Sequence, residues 1–150
     1  MTTIRADVIG LAKLQRSLRK ISTANRSGVQ RAIAISGALV QGDAQKSIKR
    51  GSRSGVIVTI GGKRHQRSAP GEPPKTDTGR LAGSIFAEFS NGGLRVDVGS
   101  DVAYATHLEF GTKNMAKREW LLPAFERNKD RIKDVVRQAI KAANRKGGRK

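Results

Sequence analysis

Gly62-Lys63 follows a β-branched run, Val56–Ile60, and a Gly-Lys pair after a strand is how a phosphate-binding loop ends. That chemistry also needs a glycine five residues before Gly62 and a hydroxyl residue after Lys63. Ile57 and Arg64 stand there instead, so the backbone cradle is missing. His65 and His107 lie far apart, neither with a second His or a carboxylate at ligand spacing, and the chain has no cysteine to supply a thiolate. No nucleophile elbow accompanies any Ser-His-Asp combination. Glu72 and Asp77 flank Lys75 in a proline-rich stretch and read as solvated charges, not as an acid–base pair. The residues therefore point to no catalytic group, no metal site and no cofactor.

Charge is the strongest compositional signal. The chain of 150 residues carries 30 Lys and Arg against 12 Asp and Glu, a formal net charge of +18. Both ends contribute: ten basic against two acidic residues in 1–50, and thirteen against six in 101–150. Such a balance suits nucleic acid or an acidic protein surface, and charge alone does not choose. Single-strand binders add stacking aromatics to a basic groove. Here four Phe, one Tyr and one Trp fall on apolar stripes that a core would claim. In the C-terminal segment Arg127, Lys129, Arg131, Lys133 and Arg137 are interleaved with Glu126, Asp130 and Asp134 at helical ion-pair spacing, which favours a salt-bridged solvent face. A small basic nucleic-acid-binding protein remains the alternative reading.

The elements that must position these residues follow from periodicity. Thr3–Ile9 alternates as a short strand, and Leu11, Leu14, Leu18 and Ile21 repeat as one helix face. A second helix starts at a Thr23 or Asn25 cap and runs to about Ile48. Its inner stripe is Val29, Ala32, Ile33, Ser36, Val40 and Ala44, small enough for close approach. Val56–Ile60 is a strand or one arm of a hairpin, followed by a basic, mobile stretch Lys63–Arg67. Three prolines, Pro70, Pro73 and Pro74, stiffen Ser68–Lys75 into a helix-free connector. Thr76-Asp77-Thr78 offers side-chain caps to a short helix, Arg80–Ser84. Ile85–Phe89 and Leu94–Gly99 flank Asn91-Gly92-Gly93, a hairpin signal. Asp101 caps a helix reaching Gly111, and Leu122–Asn144 forms the last helix with Phe125, Ile132, Val136, Ile140 and Ala143 inward.

The sum is one α+β domain over 1–150: an N-terminal strand and two helices, a small antiparallel sheet with an Asn-Gly hairpin, and a long C-terminal helix. Residues 49–75 form a mobile basic, proline-rich loop and 145–150 a flexible basic tail. No signal peptide is recognisable in Met1–Gly10, which carries Arg5 and Asp7. The most apolar stretch, Ala32–Val40, is far shorter than the roughly 20 residues that span a bilayer, so no membrane partner is expected.

Three segments together carry a resemblance: SAPGEPPKTDTGRLAGSI at Ser68–Ile85, YATHLEFGT at Tyr104–Thr112, and WLLPAFE at Trp120–Glu126. Gly10-Leu11 is a weaker fourth match. The chain resembles, from about Val8 to Ile140, the tail-completion or head–tail joining (neck) proteins of long-tailed double-stranded DNA phages. Its most specific parts are Thr78, Gly79, Arg80 and Leu81 with Ser84 and Ile85, and Glu109, Phe110, Gly111 and Thr112. It departs at Arg118-Glu119-Trp120, where a Pro-Phe pair is common in the family.

The resemblance implies a non-enzymatic virion part of a phage or prophage, found in the tail or neck and in the host cytoplasm during assembly. Copies would form a ring, a hexamer on this reading, between the head connector and the tail tube or tail terminator, touching passing double-stranded DNA at most non-specifically. The implied roles are architectural. Gly79 starts the short helix tightly, and Leu81 and Ile85 tie it to the core. Tyr104, Leu108 and Phe110 anchor the segment around Glu109, whose carboxylate caps a helix or pairs with a basic group. Gly111 takes a positive φ, while Trp120, Pro123 and Phe125 pin the last helix.

Overall fold

A computed structural model describes residues 23–75 and 78–147. The strand and first helix expected over 3–21, the caps at Thr76 and Asp77, and the end of the basic tail lie outside these residues. Within them the order is α1 (Thr23–Arg50), β1 (Ile57–Ile60), β2 (Lys63–Gln66), α2 (Arg80–Gly83), β3 (Ile85–Ser90), a 3-10 turn (Asn91–Gly93), β4 (Arg95–Ser100), α3 (Tyr104–Phe110) and α4 (Leu122–Gly147). The fold is α+β, and its strands form two separate antiparallel hairpins, β1–β2 and β3–β4.

Helices α1 and α4 pack along each other and bury two apolar clusters between themselves and the β3–β4 hairpin. The expected α1 stripe is the buried one: Val29, Ala32, Ile33, Ser36, Val40 and Ala44, with Ile48 completing it. Small residues serve close approach here. A Cβ added at Gly37 would come within 2.6 Å of Val96 Cγ2, so the glycine lets β4 lie directly on the helix. Ser36 stays buried because its hydroxyl donates to Ala32 O at 2.8 Å.

The β3–β4 register runs from Ile85 opposite Ser100 to Ser90 opposite Arg95. Its turn needs Asn91 and Gly92 at φ 51° and 62°, values that Asn and Gly tolerate best. Gln30 Nε2 donates to Gly92 O at 2.7 Å and Gln41 Nε2 to Ile85 O at 2.7 Å, which fastens both ends of the hairpin to α1.

On α4, Val136 and Ala143 are buried and Phe125, Ile132 and Ile140 pack beside them. The outer face is salt-bridged as its spacing predicts: Lys129–Glu126, Lys133–Asp130 and Arg137–Asp134 pair across one turn. Arg127 reaches across to Asp43 on α1 at 2.8 Å. Exposed pairs of this kind are each worth under about 1 kcal/mol, so they dress the face and the apolar seam holds the helices.

Three local features refine or change the expectations. Lys63–Gln66 forms a strand that pairs with Ile57–Ile60 across the tight turn Gly61-Gly62. The N-cap position of α2 is Gly79 at φ 75°, and of the expected capping oxygens Thr78 Oγ1 accepts the Arg80 N–H, at 3.4 Å. Asp101 does not cap α3, which begins after Ala103; Ser100 Oγ instead accepts the Val102 N–H at 3.3 Å.

Candidate functional site

The three segments that carry the resemblance meet at one corner of the fold. Leu81 and Ile85 are buried in the same cluster as Ala105, Trp120 and Leu121. Gly71 N–H donates to Lys117 O at 3.0 Å and Arg118 Nε to Ser68 O at 3.0 Å, joining the proline segment to the run before α4. Arg118 N–H donates to Leu108 O at 2.7 Å, joining that run to α3.

Glu109 is the keystone of the corner. It is buried, and its carboxylate accepts three consecutive backbone N–H groups, from Trp120 (2.8 Å), Leu121 (3.0 Å) and Leu122 (2.8 Å). These lie at the start of α4, where N–H groups lack partners within the helix and the dipole favours negative charge. Pro123, next in line, has no N–H to satisfy. Of the two roles expected for Glu109, capping is therefore the one adopted. Trp120 is wholly buried, with its indole N–H donating to Ala105 O at 3.2 Å. Gly111 ends α3 at φ 75°, packed so closely on Met115 that an added Cβ would lie 2.8 Å from its carbonyl oxygen. Thr112 exchanges backbone hydrogen bonds with Met115.

Other expected residues behave differently. Tyr104 and Phe110 are 41% and 67% exposed, so neither anchors α3; Ala105, Leu108 and Glu109 form its inner side. Thr78 and Arg80 are exposed. Ser84 shares a hydrogen bond with Ser100, Oγ to Oγ at 2.7 Å, and is part of the α2–β4 junction. Pro123 and Phe125 are half-buried in the first turn of α4. His65 lies on β2 and His107 on α3. Among the described residues, no group of three or more His, Cys, Asp or Glu could hold a metal ion. No described helix is long and apolar enough to cross a membrane.

A second focus lies where β1–β2 leaves the body, and sequence reasoning missed it. Glu72 is not simply solvated. Its carboxylate accepts the Ser52 hydroxyl (2.5 Å), the Ser54 hydroxyl (2.6 Å), the Arg53 N–H (2.7 Å) and the Ser54 N–H (3.1 Å). Ser52, buried, also accepts the Ala69 N–H at 2.9 Å. Gly55 sits so close to the returning strand that an added Cβ would overlap Arg67 O at 1.5 Å. The only signal in the sequence was the Gly51-Ser52-Arg53-Ser54-Gly55 string, a donor-rich turn whose acceptor lies far along the chain.

These donors, the Ser52 hydroxyl first and then those of Ser54 and Arg53, lower the pKa of Glu72 from 4.5 to about 2. The folded value is below the unfolded one, so the clamp contributes stability above about pH 4.5 and loses it as pH falls towards 2. A carboxyl titration followed by NMR should give a Glu72 midpoint near 2, and a midpoint near 4.5 would contradict the clamp. At neutral pH, Glu72→Ala should leave the helices intact while speeding tryptic cleavage after Arg53.

Comparison with protein families, with curated proteins and with solved structures finds no match to this chain.

Proposed function

We propose that the chain is a non-enzymatic structural protein of a phage neck, whose copies form a ring joining the head connector to the tail tube. The observation that carries this reading is the convergence of Ser68–Ile85, Tyr104–Thr112 and Trp120–Glu126, the segments that resemble tail-completion proteins, on one bonded corner. Segments scattered over the chain that resemble one family gain weight when they build one structural unit.

The corner leaves Phe110 and Leu122 exposed, 67% and 49%, beside the Glu109 cap. Closed rings need heterologous contacts, in which one patch meets a different patch on the next copy. Exposed apolar residues on a rigid corner suit that use. DNA has to pass through a neck, and a densely basic bore would grip its phosphates. The proposal therefore places the basic surface outside the bore or against an acidic neighbour. The pairing of Arg127, Lys129, Lys133 and Arg137 with carboxylates supports it by lowering the free charge of the α4 face.

Negative-stain microscopy of the protein mixed with connectors and tail tubes of a long-tailed phage tests the reading. Rings seated at the end of the connector or tube are expected. Particles that stay dispersed with every such partner would contradict it.

A further inference from the structure

The β1–β2 hairpin has the make-up of a recognition arm. Among the described elements, its two strands make their main contacts with each other. Val56, Ile57 and Ile60 are 71%, 52% and 57% exposed, an unusual outlay of large β-branched side chains on so short a ribbon. Between Arg53 and Arg67 the chain carries Arg53, Lys63, Arg64 and Arg67 and no acidic residue.

The register fixes what the arm presents. Arg67 N–H donates to Val56 O at 2.9 Å, and the paired residues continue as Val58 with His65 and Ile60 with Lys63. In an antiparallel ribbon such pairs alternate with pairs whose backbone groups point outward. The N–H and C=O of Ile57 and Thr59 therefore face the open edge of β1, and no other segment among the described residues bonds to them. Side-chain bonds tie β2 to the base of the arm: Lys75 Nζ donates to Gln66 Oε1 and Gln66 Nε2 to Arg53 O. One face of the ribbon sets Val56, Val58 and Ile60 beside Lys63, His65 and Arg67, an apolar row next to a basic one. The Glu72 clamp and the Gly55 contact hold the base, so the arm is presented in a fixed direction.

We infer that this arm is a docking site for an extended acidic segment of another protein, which adds as a strand to the edge of β1. Backbone bonds at Ile57 and Thr59 would hold the added strand. Its apolar side chains would cover Val56, Val58 and Ile60, and its alternating carboxylates would project on the other face, where Arg64 lies opposite the small Thr59. Charge selects the partner. A second copy of a chain at +18 brings mainly like charge to a wholly basic arm. A phosphate backbone would match the cations and leave the β1 edge and its apolar row unused. The inference does not depend on ring formation and stands or falls separately from the neck reading.

The test uses the full chain and a short labelled peptide of alternating Glu and Val, with binding read by fluorescence anisotropy. Saturable binding is expected. It should weaken by at least about tenfold in Thr59→Pro, which removes an outward N–H from an edge strand, and in the Lys63→Glu/Arg64→Glu double variant. Because proline can disturb the ribbon itself, the charge-reversed variant keeps the test decisive. Equal binding of an alternating Glu and Ser peptide would reduce the effect to charge and overturn the proposal. So would tighter binding of a random DNA duplex that displaces the peptide, self-association abolished by Ile57→Lys without peptide binding, or no peptide binding at all.

Discussion

Glu109→Ala should destabilise the protein by about 3–5 kcal/mol, the largest loss expected from one side chain outside the apolar clusters. The carboxylate satisfies three backbone N–H groups at the start of α4, and Trp120 and Leu121 are themselves buried. Water cannot readily replace it, so each orphaned donor costs its own desolvation. Glu109→Gln keeps the size and one acceptor oxygen but turns an amide NH2 towards a donor, and an intermediate loss of about 1–3 kcal/mol is expected. Thermal melting followed by far-UV circular dichroism checks the order, with the alanine variant falling by roughly 10–20 °C. Equal melting of all three proteins would contradict the cap.

Trp120→Ala should cost a similar amount, about 3–5 kcal/mol, by a different route. The ring is fully buried among Ala105, Leu121, Ala124 and α1 residues such as Ala44 and Ile48, so its removal leaves a cavity in the larger cluster. Ala105 O also loses the indole donor. Trp120→Phe refills most of the volume without that donor and should cost about half as much. Urea unfolding separates the cases, because a cavity shifts the midpoint with little change in slope. A wild-type midpoint for Trp120→Ala would place the tryptophan outside the core.

Both predictions rest on features unequally visible in the sequence. The α1 stripe, the Asn91-Gly92 hairpin, the α4 stripe with its ion pairs and the positive φ of Gly111 were legible, because each is local: periodicity, turn chemistry or i,i+3 spacing decides it. Glu109 was half legible. The resemblance admitted either a cap or an ion pair for a carboxylate at the end of its own helix, and only the fold brings Trp120–Leu122 to it. Tyr104 and Phe110 misled for a related reason. In a helix of two turns the inward side is set by what Glu109 must reach, and aromatic size does not override that. The strand Lys63–Gln66 has no apolar alternation; its state comes from the Gly61-Gly62 turn and the partner strand. The Glu72 clamp joins residues 18–20 positions apart and leaves no periodic trace.

The resemblance and the structure bear on different links of the argument. Residue patterns resemble those of neck proteins, while the structure supplies a corner built by those patterns and an exposed arm beside it. An assembly protein presents its interface through its fold, so the residues that stabilise the corner are also those that set its outward surface. Variants at Glu109 and Trp120 should therefore lose assembly and stability together, whereas Phe110→Ser should weaken assembly alone.

Mass in solution, by light scattering after size exclusion over a range of protein and salt concentrations, tests the central proposal most directly. The neck reading predicts a closed ring of uniform mass, or a monomer that becomes one when connector or tail-tube protein is added. A monomer that ignores those partners and changes only when duplex DNA is added would contradict it, and would favour a basic nucleic-acid-binding protein.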